Sequence, residues 1–322
     1  MRVSLAILLA VLLAGCGASD TLSSTSTTAT TATSTSTTAT TTPSSTTTTV
    51  AATSTTIPAT TTTLVEGTWA ELPLVVYDDW GGIALGWWDG TAWVQADETT
   101  ELGVTGGEDY RVALLGSDAV IEGSAPTRTG CDIVMPEGLP GVQFEEADAL
   151  TMTIDDERGG ERNLSGVAVS APWQVTPRPV TAGEPHPDIE DIAIELLADR
   201  GYDTDRVELV QSTDADLDGD GAIETVFVAE ETELANDISG VYSVVFAVSP
   251  SWDSPAVVAE SVIPADDSGF PASFRVSAVA DLSGDGVMEI VLDGVAWESG
   301  WVSVHELTDS GFSERIGAGC GV

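Results

Sequence analysis

The chain has 322 residues and carries 52 acidic against 10 basic side chains, a formal net charge of −42 at pH 7. All of the basic residues are Arg, since the sequence contains no Lys. Such a charge repels phosphate backbones and anionic lipid surfaces, which argues against nucleic acid as a partner and favours divalent cations or basic ligands. A dedicated cation-binding role, solubility after export and adaptation to high salt are all consistent with this acidity.

The N-terminus has the features of an export signal. Arg2 precedes an apolar run, 3–13, that is too short to span a bilayer as a mature helix. The segment Leu13–Cys16 reads Leu-Ala-Gly-Cys and resembles a bacterial lipobox. The resemblance implies a lipoprotein signal peptide over 1–15, a diacylglycerol on Cys16 and an extracytoplasmic protein anchored to the bacterial cell membrane by that lipid alone. An ordinary secretory signal with a chance cysteine is the alternative.

Residues 16–64 consist almost entirely of Thr, Ser and Ala, and no charged residue lies between Thr21 and Thr63. A segment of this composition cannot bury enough apolar surface to offset the entropy lost on ordering. We therefore expect a disordered tether between the anchor and the folded part.

From 65 to 180 the pattern predicts an all-β domain of short strands separated by Gly, Asp and Pro. The predicted strands are Leu74–Tyr77, Ile83–Trp88, Thr91–Gln95, Tyr110–Leu115, Ala149–Ile154 and Gly166–Ser170. Asp89-Gly90 is a favoured two-residue hairpin turn, which would place Trp88 opposite Thr91 and Gly86 opposite Trp93.

The same hairpin carries three tryptophans. Strand alternation puts Trp88 and Trp93 on one face and Trp87 on the other, so one face packs in the core. The other face is a possible ligand surface, either an interface or a platform on which a sugar could stack.

The Pro-rich stretch Pro172–Pro187 predicts a domain boundary. The second domain, 184–322, is expected to be α+β and β-rich, with one helix over Asp188–Arg200. Asp188 is the predicted N-cap of this helix, and Gly201 is predicted to end it.

Two acidic nonapeptides follow: DLDGDGAIE from Asp216 to Glu224, and DLSGDGVME from Asp281 to Glu289. Side-chain oxygens recur at positions one, three, five and nine, the alternating spacing of hard donors that calcium prefers. Glycine at position six permits a sharp turn. Apolar, strand-like runs flank both loops, so each unit is predicted as strand, loop, strand, connection and strand, an internal duplication.

The duplicated unit resembles FG-GAP or VCBS repeats, the class to which the calcium-bearing blades of integrin α-subunits belong. The resemblance covers about 205–310 and implies calcium held by four side chains and by the carbonyl at position seven. The implied ligands of the first loop are Asp216, Asp218, Asp220, Glu224 and the carbonyl of Ala222; those of the second are Asp281, Ser283, Asp285, Glu289 and the carbonyl of Val287. Two units cannot close a propeller, so we expect paired blade-like units. One or two ions are expected, the first loop being favoured because Ser283 replaces a carboxylate in the second.

An EF-hand needs a bidentate Glu at position twelve on an exiting helix. That position is Phe227 in one loop and Leu292 in the other, each within a β-branched apolar run. The pattern therefore excludes helix-loop-helix. An acidic turn without metal is the remaining alternative for both loops.

The cysteine count fits an exported lipoprotein. With Cys16 lipidated, Cys131 and Cys320 are left in an oxidising compartment, which predicts one disulfide; two free buried thiols are the alternative. The sequence contains no Cys-x-x-Cys motif or Cys/His cluster, so zinc is not expected.

Motifs of enzymes are absent from the sequence: it contains no G-x-S-x-G, H-E-x-x-H, phosphate loop or dinucleotide fingerprint. Its two histidines are His186, between prolines, and His305, within a strand pattern where a packed role is favoured over a catalytic one. We expect a mainly β, non-enzymatic surface lipoprotein that binds an envelope protein or a glycan. A glycan-hydrolysing or glycan-binding secreted protein centred on Trp87, Trp88 and Trp93 is the alternative, and the oligomeric state is not predicted.

Overall fold

The computed structural model describes residues 66–77, 82–117, 119–129, 138–156, 160–183, 187–202, 204–231, 240–264, 266–267 and 269–321. The predicted signal peptide, the tether, Cys16, Cys131 and His186 lie outside the described residues. The described residues all fall within one compact unit, 56–322.

The fold is mainly β, as predicted, with one α-helix among the described residues. The first nine strands are β1 Leu74–Tyr77, β2 Ile83–Trp88, β3 Trp93–Gln95, β4 Glu108–Ala113, β5 Val120–Thr129, β6 Leu139–Phe144, β7 Thr151–Asp156, β8 Gly160–Ser165 and β9 Val167–Val169. The other nine are β10 Val180–Ala182, β11 Leu209–Ala215, β12 Glu224–Glu231, β13 Val241–Val248, β14 Ala256–Ile263, β15 Ser273–Ala280, β16 Glu289–Ala296, β17 Ser299–Thr308 and β18 Gly311–Gly321. A 3₁₀ turn, Ala147–Leu150, precedes β7.

The N-terminal region forms a seven-stranded antiparallel sheet in the order β3-β2-β1-β9-β4-β5-β6, with β7 and β8 as a separate hairpin. The predicted register of the tryptophan hairpin is wrong, because Trp88 pairs with Trp93 and Gly86 pairs with Gln95. The connection therefore has four residues instead of two. Asp89 closes it, since its side chain accepts from the backbone N–H groups of Thr91 and Ala92 at 2.8 Å each.

The helix α1 spans Pro187–Ala198. It begins one residue before the predicted N-cap, so Asp188 lies in the first turn, where a negative charge favours the helix dipole. Gly201 ends it as predicted. Its φ of 80° allows the N–H of Tyr202 to reach back to the carbonyl of Leu197 at 3.0 Å.

The C-terminal region contains two antiparallel sheets with the same plan. One has the order β10-β11-β12-β13-β14 and the other β15-β16-β17-β18. In each, the acidic nonapeptide joins the first two strands of a four-stranded meander, β11 to β12 and β15 to β16. The predicted units had three strands; β14 and β18 are the fourth strands that the prediction missed.

One buried ion pair joins the two sheets, and a second joins the β7–β8 hairpin to one of them. Arg275 on β15 donates to Glu230 on β12, and both side chains are less than 5% exposed. Arg162 on β8 lies 2.9 Å from Asp293 on β16, which ties the β7–β8 hairpin to the second sheet. Breaking a buried pair of this kind is costly, because it leaves the other charge uncompensated.

One hydrophobic cluster combines residues from both sides of the predicted boundary. Val75 and Val169 of the seven-stranded sheet belong to the same buried cluster as Val291, Val304 and Ile316. The division into 65–180 and 184–322 stays a prediction, and these two parts share a core.

Candidate metal sites

The first acidic loop turns its aspartates toward its own backbone. Asp216 Oδ1 accepts from Gly219 N at 2.7 Å, Asp218 Oδ1 from Asp220 N at 3.0 Å, and Asp220 Oδ1 from Ala222 N at 2.7 Å. Each carboxylate is thus held by a backbone group two or three residues further on, in the manner of an Asx turn. The second oxygen of Asp216 lies 4.0 Å from Nε of Arg178, so a positive side chain is already close to this loop.

Glu224 closes this loop from β12. It is 1% exposed, and its Oε2 accepts from Leu217 N at 2.9 Å while its Oε1 accepts from Ser249 Oγ at 2.7 Å. One oxygen each of Asp216, Asp218 and Glu224 lies within 4.8 Å of the others, so this group can hold a metal ion. Ser249, which follows β13, is a contact that the sequence did not suggest.

The second loop repeats four of these bonds and differs in two: Gly286 N also donates to Asp281 Oδ2 at 3.1 Å, and Glu289 has no counterpart of the Ser249 contact among the described residues. Asp281 Oδ1 accepts from Gly284 N at 2.6 Å, Ser283 Oγ from Asp285 N at 3.3 Å, Asp285 Oδ1 from Val287 N at 2.8 Å, and Glu289 Oε2 from Leu282 N at 2.7 Å. Glycines at positions four and six have positive φ in both loops, between 78° and 94°. This left-handed conformation favours glycine, which explains why both positions carry it.

The second loop is the more deeply buried of the two. Asp281 is 6% exposed and Glu289 is fully buried. Glu289 Oε1 has no hydrogen-bond partner among the described residues. A buried carboxylate oxygen without a partner is expensive, and a bound cation would remove that cost.

Burial raises the pKa of three carboxyl groups in these loops. Desolvation raises the pKa of Asp281 to about 6, with a further contribution from Asp285. Desolvation, then Asp281 and Asp285, raises the pKa of Glu289 well above its usual range. The pKa of Glu224 is raised by desolvation first and by Asp218 to a lesser degree. All three shifts mark negative charge that the protein alone does not compensate.

The connecting segment before β10 covers the second loop. Trp173 Nε1 donates to the carbonyl of Asp281 at 2.9 Å, and Asp281 N donates to the carbonyl of Val175 at 2.7 Å. A Cβ placed on Gly284 would lie 2.9 Å from the indole of Trp173. The Pro-rich segment that the sequence predicts as a boundary therefore also contacts the second acidic loop.

The three predicted surface tryptophans are all half-buried. Trp87 packs against one hydrophobic cluster and Trp93 against another. Trp88 meets Trp93 edge to face with ring centroids 5.7 Å apart, and Trp93 Nε1 donates to Glu306 of β17 at 3.1 Å. These contacts join β2 and β3 to the second meander, which favours the interface alternative for this hairpin.

Two other predicted residues can be placed. Cys320 is disulfide-bonded, and Cys131 lies outside the described residues, so the pairing of these two cysteines stays a prediction. His305 is 4% exposed, with its Nε2 3.0 Å from Ser303 Oγ, and burial lowers its pKa to about 4. It is a packed histidine.

Comparisons of this chain with protein-family models, with curated proteins and with solved structures find no match. The resemblance to FG-GAP or VCBS repeats therefore rests on the loop residues and on the order of elements around them. In the part of the chain that the structure describes, none of the helices has both the length and the apolar character needed to cross a membrane.

Proposed function

We propose that this protein is a lipid-anchored, extracytoplasmic binding module whose two blade-like units are each stapled by a calcium ion. The observation that carries the calcium assignment is the buried carboxylate at position nine of both loops. Glu224 and Glu289 are almost fully buried with raised pKa values; Glu224 forms a cluster with Asp216 and Asp218, and Glu289 has one oxygen without a hydrogen-bond partner among the described residues. An all-oxygen donor set suits a hard cation, and calcium above others at extracellular concentrations.

Calcium would act here on stability. Extracellular calcium modules commonly bind with dissociation constants of about 0.1 to 1 mM, which keeps them occupied outside the cell. An ion that binds the folded chain and not the unfolded chain raises the free energy of unfolding. Without it, the crowded carboxylates of each loop repel one another and the loop is expected to loosen.

The stability test compares unfolding in calcium and in chelator. We expect calcium to raise the melting temperature of the wild-type protein and to have no effect on the double variant Asp216→Ala, Asp281→Ala. The matched control is Asp253→Ala with Asp309→Ala, since both aspartates are exposed and lie outside the loops. Equal melting of the wild type in calcium and in chelator would refute the calcium proposal.

The binding role is supported by the tether, the lipobox and the absence of enzyme motifs from the sequence. The partner class is an envelope protein or a glycan. Full-length protein immobilised in calcium is expected to retain such a partner from envelope extracts and to release it on addition of chelator. The Asp216→Ala, Asp281→Ala variant should not retain this partner. If the partner is retained equally with and without calcium, and equally by the variant, the calcium-dependent binding role is contradicted.

The location is tested separately. Cys16→Ser is expected to move the protein from the membrane fraction to the soluble fraction and to abolish incorporation of labelled fatty acid. Cys320→Ser is the control, because it changes a cysteine without touching the lipobox. Membrane association that survives Cys16→Ser would rule out the lipid anchor.

A further inference from the structure

The two acidic loops touch each other through one residue. Leu217, at position two of the first loop, donates its N–H to Glu224 Oε2 at 2.9 Å. Its carbonyl accepts from Met288 N of the second loop at 2.8 Å. Leu217 is fully buried, as is Met288, so these bonds are shielded from water. One backbone residue therefore connects a candidate ligand of the first loop to the backbone of the second.

Arg178 makes the same connection with its side chain. Its Nε donates to the carbonyl of Asp216, and one terminal nitrogen donates to the carbonyls of Leu217 and Gly286 at 2.8 Å each. Asp216 and Leu217 belong to the first loop and Gly286 to the second. The planar guanidinium suits this arrangement, since its donors have fixed directions.

These contacts fall on the residues next to the expected ligands. In the first loop, Leu217 lies between Asp216 and Asp218. In the second loop, Gly286 and Met288 lie on either side of Val287, whose carbonyl is an implied calcium ligand. An ion that orders one loop therefore also fixes backbone groups that position donors of the other.

We propose that the two loops form one coupled two-ion centre in which Arg178 is the positioning residue, so that calcium bound in one loop raises the affinity of the other. The proposal rests on calcium binding as proposed above. Repulsion between the two ions opposes this coupling, so a coupling factor above one requires that the backbone order shared by the two loops outweighs it. Coupling between sites of this kind is typically about 5- to 150-fold in affinity, and we expect about 10-fold here.

The coupling is measured by calorimetric titration of the full-length protein with calcium after chelation. Asp218→Asn leaves the second loop as the only intact site, and Asp285→Asn leaves the first. The coupling factor is the product of the two wild-type association constants divided by the product of the two single-loop constants. It equals one for independent sites, and we expect about ten.

Arg178→Met removes the three donor contacts and keeps much of the aliphatic stem. In that background the coupling factor is expected to fall toward one. General destabilisation would lower the individual association constants, but it would not by itself bring the coupling factor to one. Arg128→Met is the matched control, because Arg128 also donates to three backbone carbonyls, those of Glu98, Thr100 and Gly138, far from the loops in sequence. If Arg178→Met does not fold, Arg178→Lys can be used instead. It keeps the positive charge but lacks the fixed donor directions of the guanidinium, so it should also lower the coupling factor.

The outcomes separate this inference from the proposed function. Uptake of two ions with a wild-type coupling factor of one would overturn the coupling and leave the calcium proposal intact. A factor of ten that persists in Arg178→Met and in Arg178→Lys would overturn the role of Arg178. Uptake of no calcium by either loop would overturn both proposals together.

Discussion

Replacing Glu289 by Gln tests the candidate metal sites most directly. Glu289 is fully buried, one of its oxygens accepts from Leu282 N, and the other has no partner among the described residues. Glutamine has nearly the same shape and removes only the charge. We therefore expect Glu289→Gln to weaken calcium binding at the second loop and to leave the β16 backbone in place.

The magnitude follows from linkage. For a dissociation constant of about 0.1 to 1 mM, roughly 10 mM calcium stabilises the folded state by about 1.4 to 2.7 kcal/mol for each occupied loop. The quantity to measure is the calcium increment, the difference between the free energy of unfolding in calcium and in chelator for the same variant. Any change in the stability of the metal-free protein cancels from it. Glu289→Gln should lose at least the increment of the second loop.

The assay is urea unfolding followed by tryptophan fluorescence, in about 10 mM calcium and in excess chelator. Glu298→Gln is the matched control: it makes the same chemical change at an exposed position in the turn after β16. It should keep the full calcium increment. The reasoning about the second loop is refuted if Glu289→Gln also keeps it.

Three further predictions concern stability. Gly286→Ala places a side chain in open space at φ 94° and should cost about 1 kcal/mol of backbone strain. Gly284→Ala, at φ 79° and against the indole of Trp173, should cost about 1 to 3 kcal/mol more. Equal stabilities of the two variants in thermal unfolding with chelator would contradict this. Arg275→Met should destabilise by about 3 to 5 kcal/mol, because it removes one charge of a buried ion pair, and adding Glu230→Met should recover much of that loss in a double-mutant cycle. Burial lowers the pKa of His305 from 6.5 to about 4, because the folded state favours the neutral imidazole. The stability that depends on this neutral form is complete above pH 6.5 and is lost as the pH falls toward 4. That loss is worth about 3 kcal/mol, and His305→Gln should lack this part of the pH dependence when urea unfolding is measured between pH 7 and 4.

Strands with a strong local pattern were predictable to the residue. The predictions for Leu74–Tyr77 and Ile83–Trp88 are confirmed as β1 and β2, where continuous apolar runs are bounded by turn residues. β5 was not predicted, because Val120–Thr129 contains Gly123 and Pro126 and shows little apolar content. Its place in the sheet depends on pairing with β4 and β6, which a local pattern does not reveal.

In the candidate site, too, the local residues were predictable and the distant contacts were not. The nine positions of each loop could be read from the sequence, because the donors and the glycines that turn the backbone are all local. Trp173, Arg178 and Ser249 lie far from the loop residues they contact or outside the repeat, so no spacing rule could find them. The available signal for Arg178 was a single Arg between two prolines, in the same Pro-rich stretch as Trp173 and in a chain with few cations.

The sequence by itself determined the mainly β class, the single helix within the described residues, and two loops of oxygen donors at a calcium-like spacing. These properties depend on side-chain periodicity and on turn residues within a few positions of one another. Only the tertiary structure decided that the two loops lie together, that Glu289 is the more deeply buried of the two closing carboxylates, and that Arg178 contacts both loops. These depend on how the sheets pack, where burial and charge are set by residues distant in the chain.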